Sequence, residues 1–331
     1  MDYELISKEL EEKGYCVVPN ILSESEIKYS KNEFKKWQST IPDHDKMHDK
    51  IDPHGIYKYH RAGHTLHAWF IRTRPQVQAV FKHLWKTDDL VVSFDGCCYI
   101  SKDNAVKDKI WTHTDQSPKY SKLTCYQGYV ALTDNKERTF RVYEETHKIH
   151  EAYFKERLAP LTKEMAKLKT KLKDKSNKDN PNEDKIKTLK EKIKVVDKAI
   201  KKFNDNWQLI DHDILEELSK RKRVLDVKAG SLVLWDSRTF HQNQYGKSKS
   251  EERMVQYVCY LPKKNTLNTP GEQKKRLKYL KEQRTTSHWP YKIKVNGLQT
   301  RTWGDDSLLI DYDAFPMNDL SEFEEEIMKI I

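Results

Sequence analysis

Strand-like runs stand on both sides of one long lysine-rich helical segment, which restricts this chain to a β core interrupted by a helical insertion. Within that segment apolar residues recur at Leu158, Leu161, Met165, Leu168 and Leu172, then at Ile186, Leu189, Ile193, Val196, Ile200 and Phe203. The steps alternate three and four in both arms, which marks two helices with apolar stripes. Between them, Asp174 to Glu183 is polar and contains Pro181, a turn that folds the arms into an antiparallel hairpin. Candidate strands lie at 15–18, 91–100 and 124–133 before the hairpin, and at 224–227, 231–236 and 254–261 after it. Helical spacing over 2–13 and 23–40, the latter capped at Ser23 or Ser25, adds helices that wrap the core.

The net charge of +10 suggests a polyanion partner until it is mapped. Between 161 and 206 there are 15 Lys against 8 Asp or Glu, so most of the excess belongs to the hairpin. These lysines solvate its outer face; the functional alternative is a docking arm for an acidic partner. No aromatic ladder interleaves with them, so a nucleic-acid partner is not expected. The five cysteines (16, 97, 98, 125 and 259) are odd in number and lack the spacing of a disulfide framework. Cys97 and Cys98, adjacent on a strand, would point to opposite faces, so reduced thiols packed in a core are expected. No apolar run approaches membrane-spanning length, and Met1-Asp-Tyr-Glu-Leu5 begins with acids where a signal peptide has bases. The expectation is a cytoplasmic protein with no membrane partner. A chain of 331 residues is long enough for one elaborated core.

The chemistry concentrates in His113-Thr-Asp115, answered downstream by His241 and Arg253. Residues two apart on a strand project from one face, so His113 and Asp115 can grip the same ion. His241 follows the strand-like run Gly230-Ser-Leu-Val-Leu-Trp-Asp-Ser-Arg-Thr-Phe240 and can supply the third ligand. Two imidazoles and a carboxylate on one face of Fe(II) leave its other positions open for cosubstrate and oxygen. Arg253 offers a planar fork suited to a dicarboxylate. Gln127 and Tyr129 alternate onto one face of their strand, and Asn243 lies two past His241. Trp111, Gln116 and Asp95 are further candidates to line such a site. His60, His64 and His67 fit no structural zinc spacing and are read as loop residues near an entrance.

Beyond the ligands, Gly14-Tyr-Cys-Val-Val-Pro-Asn-Ile-Leu22, Arg72-Thr-Arg-Pro75, Leu84-Trp-Lys-Thr-Asp-Asp-Leu90 and Ser93-Phe-Asp-Gly96 carry a family pattern. So do Gln127-Gly-Tyr-Val-Ala-Leu-Thr-Asp134, Gly230 to Asp236 leading into His241-Gln-Asn243, and Val255-Gln-Tyr-Val-Cys-Tyr260. Over about 14–150 and 220–262 the chain resembles the phytanoyl-CoA dioxygenase-like family of Fe(II)/2-oxoglutarate oxygenases. The resemblance implies a mainly β fold with helices: a double-stranded β-helix (jelly-roll, cupin-like) core wrapped by helices and carrying the inserted hairpin. Residues 1–150 would supply the N-terminal helices and the first part of the jelly roll, and 151–206 the hairpin. Residues 207–262 would complete the core, and 263–331 would form a C-terminal extension packing on it.

The resemblance also implies roles. His113, Asp115 and His241 would hold Fe(II), and Arg253 would pair with the far carboxylate of 2-oxoglutarate. Asn243 resembles the position that also touches that carboxylate, and Tyr129 the aromatic position lining the cosubstrate pocket, with Gln127 beside it. The expected reaction consumes O2 and 2-oxoglutarate, releases succinate and CO2, and hydroxylates a small-molecule or lipid-like substrate. Relatives that halogenate have a small residue at the position of Asp115, so the carboxylate here favours hydroxylation. Relatives that dealkylate nucleic acids carry a second Arg six residues after the first, where this chain has Cys259. The segment Arg138 to His147 replaces the family's usual glycine pair and Gly-Ser-His turn, so that turn is altered. A macromolecule-directed hydroxylase docking through the hairpin, and a non-catalytic binding protein on the same fold, are the alternative readings.

Overall fold

A computed structural model describes residues 1–41, 44, 53–177, 181–247, 249–296, 299–300, 302 and 304–331. The chain opens with α1 (Tyr3–Lys13), β1 (Tyr15–Val18) and α2 (Glu24–Ser39). Next come β2 (Ile56–Tyr57), α3 (Leu66–Thr73), α4 (Pro75–Trp85), β3 (Leu90–Val92), β4 (Cys97–Ile100) and β5 (His113–Thr114). β6 (Tyr126–Ala131) and β7 (Phe140–Tyr143) precede two long helices, α5 (Thr146–Ser176) and α6 (Glu183–Lys202). After them run β8 (Gln208–Leu209), α7 (His212–Glu217), β9 (Lys222–Val224) and β10 (Leu232–Asp236). β11 (His241–Asn243), β12 (Arg253–Val258) and β13 (Tyr260–Pro262) end the strands, and α8 (Pro270–Lys281) and α9 (Glu324–Lys329) lie in the C-terminal extension.

Two antiparallel sheets form the core. One has six strands in the order β1-β10-β6-β12-β4-β2, the other five in the order β8-β5-β11-β7-β9. Period-2 alternation assigns every side chain of the larger sheet to one of two apolar layers. Cys98, Ile100, Tyr129, Ala131, Val233, Trp235 and Val255 point inward and meet Phe140 and Val142 of the smaller sheet. Cys97, Tyr99, Val130, Leu232, Leu234, Met254 and Val258 point outward and are covered by apolar residues of α1, α2, α3 and α4. Cys97 and Cys98 thus lie on opposite faces, and all five cysteines are buried thiols. This is the jelly-roll architecture, built as two facing sheets; among the described residues no strand ladder closes it into a barrel.

Local chemistry explains the ends. Asp2 accepts from Leu5 N at the start of α1, and Gly14 ends it in the left-handed region at φ 88°. A side chain at Gly14 would also collide with the His147 ring, at 2.5 Å. Ser23 and Glu26 form a reciprocal capping box on α2. The expected strand 91–100 splits into β3 and β4, because Ser93–Gly96 bends away to meet the C-terminal extension. Gly96 lets β4 approach β2 closely: a Cβ at that position would stand 1.8 Å from the Tyr57 carbonyl oxygen. The expected strand 254–261 likewise divides at Cys259, and the expected 224–227 shifts to β9, with Val227 held by an isolated bridge to Asn135.

The altered segment after Asp134 is a strand, β7, in place of a glycine turn. Arg138 anchors this segment. It is fully buried and donates to the carbonyls of Ser101, Lys102, Asn104 and Lys247. Glu251 Oε1 accepts from the backbone N–H groups of Lys136, Glu137 and Arg138, closing the other side of the bend.

In the hairpin, Met165, Leu168 and Val196 are buried against Leu161, Leu189, Ile193 and Ile200, along the heptad stripe. The centre of the tip, 178–180, lies outside the described residues. α5 begins at Thr146 and runs unbroken past 151, so its first turns belong to the core: Tyr153 and Phe154 pack with Ile210, Leu215 and Phe240. Among the described residues no helix is long and apolar enough to cross a membrane.

His64 and His67 are not entrance loop residues. His64 closes a short 3-10 turn, His67 sits in α3, and both are fully buried. Burial, with Arg72 nearby, pushes each imidazole down to about 3. Both must therefore be neutral in the fold, whereas an unfolded histidine titrates near 6.5. The unfolded state binds more protons between those values, so stability is complete above pH ~6.5 and is lost as pH falls toward 3. We expect chemical denaturation to show a loss of about 4 kcal/mol from these two residues between pH 7 and pH 5. A flat profile over that interval would contradict their assignment as neutral core groups.

Candidate metal centre

Strand register brings the distant motif residues together. His241 of β11 pairs directly with His113 of β5, so the two imidazoles stand side by side with ring centroids 4.4 Å apart. Asp115 reaches between them: Oδ1 lies 3.6 Å from His113 Nε2 and Oδ2 lies 3.2 Å from His241 Nε2. One ligand atom from each of the three residues falls within 4.8 Å of the others, and all three residues are buried.

The backbone fixes which nitrogen faces the centre. His113 Nδ1 is 3.1 Å from the Trp111 carbonyl, and His241 Nδ1 is 2.9 Å from the Thr239 carbonyl. A carbonyl can only accept, so both Nδ1 atoms carry hydrogen and both Nε2 atoms face the carboxylate. Asp115 is itself tied down, its N–H donating to the Ser237 carbonyl and its Oδ2 accepting from Gln127 Nε2 at 3.1 Å. Burial pushes the Asp115 carboxyl up, but the His113 and His241 imidazoles outweigh it and hold the group well below the carboxylate range. Burial and the neighbouring His113 push the His241 imidazole down, against the pull of Asp115. Two imidazoles with Nε2 turned inward and one carboxylate are a donor set that fits a divalent first-row metal with open positions.

Next to the triad, the inner face of the large sheet carries polar atoms with nothing to bond. Arg253 is 1% exposed, and its Nε and both terminal nitrogens have no hydrogen-bond partner. Its guanidinium lies over the Tyr129 ring, 5.3 Å from the centroid. Gln127 Oε1 is also buried and unpartnered. Burial pushes the Tyr129 hydroxyl up to about 12, so it is a neutral donor. Asn243 donates through Nδ2 to Tyr257 Oη, 2.9 Å away, which places Tyr257 in the same layer. A buried, unpaired guanidinium is costly unless a charge meets it, and a carboxylate is the group its fork matches.

A cavity of about 370 Å³ opens onto the triad. Gln127 and Asn243 line it, whereas Arg253 and Tyr129 sit deeper between the sheets. Trp111 and Asp95 also line it. Trp111 stacks on His113 at 4.8 Å and on His54 at 3.6 Å. Burial pushes the Asp95 carboxyl up to about 7, against the Gly96 N–H and Arg72. Gln116 does not reach the cavity; it fastens the motif loop, donating to the Tyr120 and Lys122 carbonyls and accepting from Ser237 Oγ. The lining residues that no sequence pattern singled out include His54 and Lys58, ahead of β4, and Trp207, Ser287, His288 and Asn296. Trp207 stands in a polar stretch just past the hairpin, and the last three lie in the extension, whose position no local pattern encodes.

A jelly roll with two histidines and one carboxylate between its sheets defines the class of the mononuclear non-haem oxygenase centre. The chain matches the family described as phytanoyl-CoA dioxygenase (PhyH) over residues 10–255, and it belongs to that family. "Ava biosynthesis cluster protein O" of Aspergillus versicolor is 25% identical over 221 residues, 66% of this chain and 61% of that protein. The chain thus spans about three fifths of the length of this curated relative. Among solved structures, GlcNAc Inducible Gene 2 (GIG2) from Candida albicans shares the fold at a TM-score of 0.51 and 16% identity, over 79% of this chain and 64% of that one. EctD from S. alaskensis, solved with 2-oxoglutarate and 5-hydroxyectoine, has a TM-score of 0.47 and 12% identity, over 79% and 76%.

Proposed function

We propose that the protein is an Fe(II)- and 2-oxoglutarate-dependent dioxygenase that hydroxylates a small organic molecule. The observation that carries this reading is Arg253, a buried guanidinium without a partner in the layer beside a His-Asp-His triad. His113, Asp115 and His241 would hold the iron, the carboxylate offsetting part of its charge. Fe(II) bound there supplies the oxidising chemistry, in which O2 and 2-oxoglutarate give succinate, CO2 and a hydroxylated substrate.

The remaining roles belong to the chain's own groups. Arg253 binds the far carboxylate of the cosubstrate by a two-pronged charge-assisted contact, with the Tyr129 hydroxyl and Asn243 orienting it. Gln127 holds Asp115 in register from behind, through the 3.1 Å bond to Oδ2. The Trp111 and Thr239 carbonyls hold a hydrogen on each Nδ1, which turns each Nε2 toward the metal position. Trp111, stacked on His113, shields one flank of the site from water.

The test is an anaerobic titration of Fe(II)-loaded protein with 2-oxoglutarate, watching the weak visible charge-transfer band of the chelate. The expected band requires both additions and is absent in His113→Ala. Stoichiometric metal without a band would leave a binding protein on the same fold as the better reading.

A further inference from the structure

The cavity beyond the triad has two chemically different walls. One is aromatic. Trp207 lies one residue before β8, which pairs with β5 so that Leu209 stands opposite His113. Residues two apart share a face, so Trp207 falls on the face of the metal ligands, its ring 5.5 Å from that of His113. It is 49% exposed, and Leu209 beside it is 51% exposed, so the mouth next to the triad keeps apolar surface uncovered.

Another part of the lining is polar and comes from the C-terminal extension. Segment 285–296 is stitched to the bend between β3 and β4 by backbone bonds. Thr286 N donates to the Phe94 carbonyl at 2.8 Å, and Phe94 N donates to Thr286 Oγ1 at 3.2 Å. Gly63 N donates to Thr285 Oγ1, and a second bridge joins Thr286 to Val295. The segment is therefore held as rigidly as a strand edge. It delivers Ser287 and His288 to the cavity, and Ser287 Oγ and His288 Nε2 are both buried without a hydrogen-bond partner. Two unsatisfied polar atoms converging on one cavity need a polar ligand group.

We propose that segment 285–296 is the substrate-selecting wall, with His288 Nε2 and Ser287 Oγ bonding a hydroxyl or carbonyl of a ring-containing substrate whose flat face lies on Trp207. The inference rests on reading the site as an oxygenase centre. It assigns selectivity to two elements outside the jelly roll, the base of the hairpin and the extension.

The probes are benzyl alcohol and toluene, titrated by ligand-detected NMR into anaerobic protein carrying Fe(II) and 2-oxoglutarate. The wild type is expected to bind benzyl alcohol about tenfold more tightly than toluene. Ser287→Ala/His288→Ala should erase that preference, His288→Gln should keep most of it, and Trp207→Ala should weaken both probes alike. The charge-transfer band, recorded on every sample, certifies that each variant is folded and loaded. With the band present, equal affinities in the wild type, no binding of either probe, or a preference surviving the double substitution overturns the inference. Absence of the band in the wild type would instead defeat the oxygenase reading beneath it.

Discussion

Arg253→Met is expected to weaken 2-oxoglutarate binding about 100-fold while leaving Fe(II) affinity unchanged. The substitution keeps much of the buried stem but removes a fork whose three nitrogens have no other partner. Truncating one member of a buried charge pair costs about 2–5 kcal/mol, and a hundredfold change lies in that range. Because the guanidinium is unsatisfied when the cosubstrate is away, the protein should not lose stability with it. Thermal unfolding of the cosubstrate-free variant should be equal to or above that of the wild type. A titration calorimeter measures the affinity, and a melting curve the stability. Unchanged cosubstrate affinity would remove Arg253 from the site.

Asp115→Ala is expected to be the most damaging change to function. The carboxylate is the one anionic donor of the triad and lies between the two imidazoles, 3.6 Å from His113 and 3.2 Å from His241. Its loss leaves two neutral nitrogens, and Fe(II) affinity should fall by more than about 100-fold, with succinate formation falling below detection. The variant should still fold, since its neighbours are held by strand pairing and not by the carboxylate. Near-wild-type metal affinity, measured by competition with a chromophoric chelator, would show that the triad is not the metal centre.

Much of this site was legible in the sequence, for a reason that lies in β geometry. A period of two puts His113 and Asp115 on one face wherever they occur in a strand, and the run from Gly230 to Asp236 announces a buried strand ahead of His241. Of the residues singled out from the sequence, His113, Asp115, His241, Gln127, Asn243, Trp111 and Asp95 line one cavity, whereas Arg253, Tyr129 and Gln116 do not. Legibility failed where position depends on contacts between distant segments. Ser287, His288 and Asn296 reach the cavity only because Thr286 pairs with Phe94 across nearly two hundred residues, a pairing that no local pattern encodes. β7 was read as an altered turn because the missing glycines were visible and the buried role of Arg138 was not. His64 and His67 look like surface residues by type, and only the packing of α3 makes them neutral core groups. Strand ends slipped at Gly96 and Cys259, where the chain leaves one sheet for another partner.

The direct pairing of His113 with His241 also sets an order of events during synthesis. About 130 residues separate the two, and the helical hairpin lies between them, so the metal pocket does not exist on the ribosome until β11 has emerged. Closing so long a loop is slow in entropic terms, but the hairpin is made of local contacts and can collapse first, bringing its two ends together. The hairpin can thereby set the pace at which the nascent chain brings His113 and His241 together.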